Sequence, residues 1–241
     1  IGNRQTTVDW VRDLSFPETI NLDQNTGLSE QQENDLFHEA SPFSVLAPDD
    51  PAYIFFTSGT TGVPKGVLGC HKALGHFLTW QRKTFAVGPQ DRCAQLMGLS
   101  FDAILRDVFL PLTSGATLCL PPEEDGLASD RILPWLEREG ISLLHIVPSV
   151  AHAWLDALPL GVTLRALRRI FLVGEPLTAS LVQRWRQTFP QAGEIINLYG
   201  PTETTLVKCF YQVPAEEFPG VQPIGWPRPE TQALGLAENG R

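Results

Sequence analysis

The segment Thr57-Ser58-Gly59-Thr60-Thr61-Gly62-Val63-Pro64-Lys65-Gly66 sets hydroxyls, glycines and a lysine directly after the apolar run Ala52-Tyr53-Ile54-Phe55-Phe56. Such a loop suits polyphosphate. Its glycines let backbone amides approach an anion, its hydroxyls add donors, and Lys65 brings a mobile positive charge. It is not a Walker A loop, which needs Gly-Lys-Ser/Thr opening a helix; here Lys65 stands between Pro64 and Gly66. Taken alone it could also be a flexible glycine-threonine turn. The second motif, Asn197-Leu198-Tyr199-Gly200-Pro201-Thr202-Glu203-Thr204-Thr205, follows the apolar Ile195-Ile196. Tyr199 offers a flat face to a purine, Thr202 a hydroxyl to a phosphate, and Glu203 a hard oxygen ligand suited to magnesium. Together the two loops describe a Mg-ATP site.

The elements that must position these loops follow from the apolar periodicity. Strands are expected near 52–57, 93–97, 116–120, 142–147, 169–173 and 193–198, and helices over 71–85, 130–139, 149–158 and 177–189. Asp130 is placed to cap its helix, with Pro134 at the end of the first turn. Strand-helix alternation predicts an α/β fold, a mostly parallel sheet flanked by helices on both faces. Ligands bind such sheets beyond the carboxyl ends of the strands, where both motifs are expected to fall. Residues 1–50 read as a polar N-terminal segment and linker: Ser29-Glu30-Gln31-Gln32 matches a capping box for a short acidic helix to about Ala40, and Pro42, Pro48 and Pro51 follow. Residues 51–241 read as the ligand-binding part.

Composition narrows the class. With 241 residues, 43% of them hydrophobic, the chain can bury a sizeable core. A net charge of -9 without a cationic run argues against nucleic-acid binding, and Arg165, Arg168 and Arg169 read as a solvated helix end. Four scattered cysteines without a CxxC pair and five histidines without HExxH spacing argue against zinc or a disulfide framework. No apolar run reaches membrane length, and the chain starts at Ile1 without a methionine, a charged n-region or an apolar h-region, so a cytoplasmic protein, or a piece of one, is expected, without a membrane partner.

The pair TSGTTGVPKG and NLYGPTETT, with Ser100-Phe101-Asp102 between them, resembles the adenylate-forming enzymes, most closely the adenylation domains of nonribosomal peptide synthetases, over about residues 45–241. The resemblance implies the middle of the large core lobe with its flavodoxin-like substrate-binding subdomain. It also implies that a second half of the core and a C-terminal lid with a catalytic lysine are absent from these 241 residues, so that the chain is incomplete and inactive alone. The implied reaction joins a carboxylate to the α-phosphate of ATP, expels pyrophosphate, and passes the acyl group to the phosphopantetheine thiol of a peptidyl carrier protein among neighbouring synthetase domains. An acyl- or aryl-CoA synthetase shares the fold and the ATP chemistry; a non-catalytic nucleotide- or substrate-binding module is the alternative of another class.

On that resemblance, Thr57, Ser58, Gly59, Thr60, Thr61, Gly62 and Lys65 would hold the β- and γ-phosphates, Thr202 would reach the α-phosphate, and Glu203 would bind magnesium. Gly174 and Glu175 would stand on the adenine side, with Asn197 and Tyr199 completing the purine pocket; Glu175 alone reads equally as a solvated acid near a helix start. The acyl pocket would be walled by Asp102, Ala103, Arg106, Ser149, Phe171, Val173, Leu198, Leu206 and Val207, with Asp102 pairing with a substrate α-ammonium. Arg106, the one cation among them, either selects a distal carboxylate or pairs with Asp102 four residues away at the helix start. An acidic amino acid, another amino acid, and an acid without an α-amine all stay open.

Overall fold

The computed structural model describes residues 46–58, 63–122, 128–216 and 218–234. The acidic helix expected from Ser29 to Ala40, and Gly59, Thr60, Thr61 and Gly62 of the first motif, lie outside the described residues.

Two sheets carry the site. The first is an antiparallel pair, β1 (Pro51–Thr57) and β2 (Lys65–Cys70), in register Ile54↔Leu68 and Thr57↔Lys65. The second has seven strands in the order β4-β3-β5-β6-β7-β8-β9: β3 (Arg92–Ala94), β4 (Thr117–Cys119), β5 (Leu143–Ile146), β6 (Arg169–Val173), β7 (Glu194–Tyr199), β8 (Cys209–Gln212) and β9 (Trp226–Pro227). β4 through β7 are mutually parallel, while β8 and β9 continue antiparallel. The expected mostly parallel sheet is therefore present, but the first motif does not follow one of its strands. It joins β1 to β2 of the separate hairpin. The sequence KGVLGC hides β2 because two glycines interrupt its alternation.

Five helices cover the large sheet: α1 (His71–Thr84), α2 (Ala103–Ser114), α3 (Ser129–Arg138), α4 (Pro148–Asp156) and α5 (Ala179–Thr188). Each buries a stripe at helical spacing, as Phe77, Trp80 and Gln81 do on α1 and Leu181, Val182 and Trp185 on α5. Thr178 caps α5 by accepting from the Leu181 amide at 3.3 Å. α3 departs from expectation: Ala128 is its N-cap, with no side-chain cap, and Asp130 lies inside the first turn, where its charge still suits the helix dipole. α2 ends at Gly115, whose φ of 71° permits the left-handed cap and whose amide donates to the Pro111 carbonyl.

The sheet separates two apolar cores. One face packs Leu144, Ile146, Ile170, Leu172 and Ile195 against Leu133, Trp154 and Trp185 of α3, α4 and α5. The other packs Leu143, Phe171, Ile196 and Leu198 against Phe77, Trp80 and Leu110 of α1 and α2. Alternate residues of each parallel strand thus serve opposite cores, as the two-residue period of a strand requires.

Candidate active site

The two motifs converge through one tyrosine. The Tyr53 hydroxyl donates to Thr205 Oγ1 at 3.1 Å, tying the β1–β2 hairpin to the loop after β7. The approach depends on Gly69, since a Cβ there would stand 1.9 Å from the Tyr53 ring. Burial raises the Tyr53 pKa, and the nearby Asp102 carboxylate adds to that rise. Asp102 is therefore part of the same neighbourhood, at the start of α2. Lys65 faces Thr57 across the base of the hairpin loop and is exposed, as is Ser58.

The loop after β7 is tightly closed. The Lys208 amide donates to the Tyr199 carbonyl at 2.7 Å, and Thr202–Thr204 form a single 3-10 turn. Thr205 and Leu206 both take left-handed conformations, with φ of 67° and 58°, at about 1–3 kcal/mol each for non-glycine residues. Gly200 makes the closure possible, because a Cβ there would meet the Leu206 carbonyl oxygen at 1.9 Å. Thr202 is half-buried in this turn. Glu203 is exposed, and its carboxylate makes no ion pair or hydrogen bond among the described residues.

Beyond the carboxyl ends of β6 and β7 opens a cavity of about 410 Å³, lined among others by Gly174, Glu175, Asn197, Leu198, Tyr199 and Gly200. Gly174 takes a φ of 89°, turning the chain out of β6. The expected adenine-side residues therefore share one wall, and the volume is that of a small-ligand site. Asn197 is buried and donates from Nδ2 to the Pro223 carbonyl at 2.8 Å, while Tyr199 is half exposed. Val221, Gln222 and Ile224 complete the lining and were not legible in the sequence. Their contribution arises from a turn that returns past the sheet, which no periodicity announces.

Glu175 has a structural engagement as well. Its carboxylate accepts from the Ser149 amide at 2.7 Å and from Ser149 Oγ at 2.8 Å, satisfying a free N–H in the first turn of α4. Ser149 thus sits exposed beside Glu175.

Phe171, Leu198, Leu206 and Val207 meet in the buried core under α1 and α2, with Val173 packed against them. Leu198 also lines the cavity beyond β6 and β7, so the two regions share a wall. Asp102 and Ala103 open α2 and are half-buried. Arg106 does not make the expected pair with Asp102. Its side chain is 1% exposed, and its Nε and Nη2 donate to Asp107 Oδ1 at 3.1 and 3.0 Å. Among the described residues Arg106 pairs with Asp107, not with Asp102. Adjacent helix positions point about 100° apart, so the sequence favours an i,i+4 partner. The long arginine stem folds back and reverses that choice.

A family model described as AMP-binding enzyme matches residues 3–240. The chain belongs to the AMP-binding enzyme family. It is 38% identical over 185 residues to tyrocidine synthase 3 of Brevibacillus parabrevis, covering 76% of this chain and 3% of that protein. It is 34% identical over 172 residues to the L-2-aminoadipate reductase large subunit of Eremothecium gossypii, covering 71% of this chain and 12% of that one. Among solved structures it resembles the Vibrio cholerae adenylation domain AlmE in complex with glycyl-adenosine-5'-phosphate: TM-score 0.74, 27% identity, 99% of this chain and 43% of that chain. The chain therefore spans less than half the length of these relatives. Its fold is that of part of an adenylation domain, and its homologues include nonribosomal peptide synthetases.

A second cavity of this AMP-binding chain, about 450 Å³, opens at the amino ends of β3, β5 and β6. It contains none of the expected site residues. Its charged groups are committed to one another: Arg168 donates to both Asp91 carboxylate oxygens at 2.8 Å, and Ser142 Oγ donates to Asp91 Oδ1 at 2.7 Å. This is a lock between strand ends, opposite the end where an α/β sheet presents ligands. His71, shortly after the first motif, is exposed at the start of α1. No helix among the described residues is long and apolar enough to cross a membrane.

Proposed function

We propose that this chain supplies the ATP- and acid-binding part of an adenylating ligase of nonribosomal peptide synthesis. A substrate carboxylate oxygen attacks the α-phosphorus of ATP, the bond to the bridging oxygen of the β-phosphate breaks, and pyrophosphate leaves. The observation that carries this reading is the Tyr53–Thr205 hydrogen bond, which sets the phosphate-loop hairpin against the loop that lines the purine-side cavity.

In this arrangement Gly174, Glu175, Asn197 and Tyr199 enclose the base. Thr57, Ser58, the glycine-threonine run 59–62 and Lys65 hold the β- and γ-phosphates, and Thr202 reaches the α-phosphate. Glu203 fits magnesium because its exposed carboxylate is uncommitted; one carboxylate plus substrate phosphates is a usual magnesium environment. When bound, the ion neutralises charge on the departing pyrophosphate. Asp102 forms no ion pair among the described residues, which leaves its carboxylate available to a substrate α-ammonium and favours an amino acid over an acid without an amine. The phosphopantetheine thiol of a carrier protein then attacks the acyl carbon, the bond to the adenylate oxygen breaks, and AMP leaves with the acyl group held as a thioester, in the cytoplasm.

The test is acid-dependent ATP–pyrophosphate exchange by the complete protein in magnesium. Lys65→Ala and Glu203→Ala are each expected to cost about 1.5–3 kcal/mol of charge-assisted contact in kcat/KM. Undiminished exchange in Glu203→Ala removes the magnesium assignment.

A further inference from the structure

Beneath the ligand-binding end of the sheet lies a string of buried polar groups that the adenylation chemistry does not use. Arg106 and Asp107 of α2 pair with each other at side-chain exposures of 1% and 0%. His145 of β5 points Nδ1 toward Asp107 Oδ1 at 3.9 Å, and Gln81 of α1 donates to His145 Nε2 at 2.7 Å. The His145 ring stacks on Phe171 of β6, centroids 4.4 Å apart and planes 13° from parallel. His145 and Phe171 pair across β5 and β6, two residues before Val173, after which Gly174 enters the cavity. The start of α2 faces the loop after β7 through Asp102, Tyr53 and Thr205. On the function proposed above, Asp102 at the start of α2 receives the substrate α-ammonium, and this string, beginning four residues further along α2, forms the floor beneath the acid.

We propose that Asp107 is a positioning residue that sets substrate specificity. By holding the Arg106 guanidinium it makes this floor electrically neutral, so that the site activates acids with uncharged side chains and rejects those with a distal carboxylate. The inference rests on the adenylating function proposed above. Asp107 binds two guanidinium donors through Oδ1 and accepts the Met97 amide through Oδ2 at 3.3 Å, so both of its oxygens are engaged. A substrate carboxylate taking Arg106 would have to share it with Asp107 in a water-excluded space, placing two like charges around one cation. His145 gives no relief, because burial and the Arg106 charge hold it neutral. Gln81 carries no charge. Phe171, fully buried beneath the stack, presents only an apolar surface.

The experiment compares kcat/KM for exchange by the complete protein with alanine, leucine and phenylalanine against aspartate, glutamate and 2-aminoadipate. The wild type is expected to favour a neutral acid by at least about tenfold. Asp107→Asn is expected to narrow or reverse that ratio by about tenfold, chiefly through a lower KM for the dicarboxylic acids, a shift that a merely structural role would not produce. Should Asp107→Asn fail to fold, the double variant R106M/D107L carries the test. An uncharged floor must keep the preference for neutral acids, whereas a pocket that uses Arg106 to read its substrate must lose its best acid. A wild type that favours a dicarboxylic acid overturns the inference while leaving the adenylating function standing. No exchange with any acid overturns that function, and the inference with it.

Discussion

Arg106 and Arg228 are buried to the same degree, each 1% exposed, and are accommodated in opposite ways. Arg106 is answered by charge: two donors reach Asp107, and the pair is extended by His145 and Gln81. Arg228 is answered by aromatic faces, its guanidinium lying 5.6 Å from the Phe77 centroid and 5.7 Å from that of Trp80, with Nε and Nη1 buried and unpaired. The difference teaches where a buried cation is rigid and where it is merely tolerated. An ion pair that is dry on all sides fixes its partners, because removing either leaves an uncompensated charge. A cation over two rings gains only a modest attraction and keeps a desolvation cost.

The largest effect expected from this contrast is at Asp107. Asp107→Ala leaves Arg106 buried without its counter-ion and should lower unfolding stability by about 3–5 kcal/mol in urea denaturation. Replacing both members by apolar residues should cost far less, since a buried pair and its hydrophobic counterpart are often of similar stability. A loss below about 1 kcal/mol for Asp107→Ala would show that the pair is not the rigid member of the comparison.

That pair marks the limit of what the sequence could reveal. The two loop motifs, five parallel strands and the helices at 71–84 and 179–188 follow from apolar runs and turn residues, because those signals are local. Gly174, Glu175, Asn197 and Tyr199, expected together from the family resemblance, lie on or just after two strands that pair in parallel, and all four line one cavity. Of the residues expected in the acyl wall, Phe171, Val173, Leu198, Leu206 and Val207 come together in one core, and Ser149 bonds to Glu175. The partner of Arg106 was not legible, since side-chain folding on a helix depends on what else is buried there. Arg228 was missed because Trp226-Pro227-Arg228-Pro229 reads as an exposed turn, and only the packing of β9 beside α1 encloses it.

The next effect concerns acid. His145 is held well below the ordinary imidazole pKa by burial first and by the Arg106 charge second. In the unfolded chain the ring takes a proton near the usual value of 6.5, so below that pH the unfolded state binds more protons than the folded one. Stability must therefore fall as pH drops below about 6.5, with a one-proton slope approaching 1.4 kcal/mol per pH unit. Asp107, raised by burial against the attraction of Arg106, acts in the opposite sense and only from the carboxylate range upward. The His145 contribution is read as the difference between wild type and His145→Gln across pH 5 to 7. Equal slopes in the two proteins would mean that the ring is already protonated in the fold, and that the Arg106 floor is not neutral.

The smallest effect sharpens the other side of the comparison. Arg228→Met removes a cation–π attraction of about 0.5–2 kcal/mol and at the same time two buried, unpaired nitrogens whose desolvation costs a similar amount. The two changes nearly cancel, so the variant should unfold within about 1 kcal/mol of wild type. The electrostatic trace should be clearer than the energetic one. His76 is held below its ordinary pKa by burial first and then by Arg228, despite the opposing pull of Glu230 at 3.4 Å. Lys208 is likewise lowered by burial and then by Arg228. Removing the guanidinium should raise both values, and His76 can be followed by NMR titration. An unmoved His76, or a loss of stability beyond about 2 kcal/mol, would show that Arg228 has an ionic partner and that the two arginines are accommodated alike.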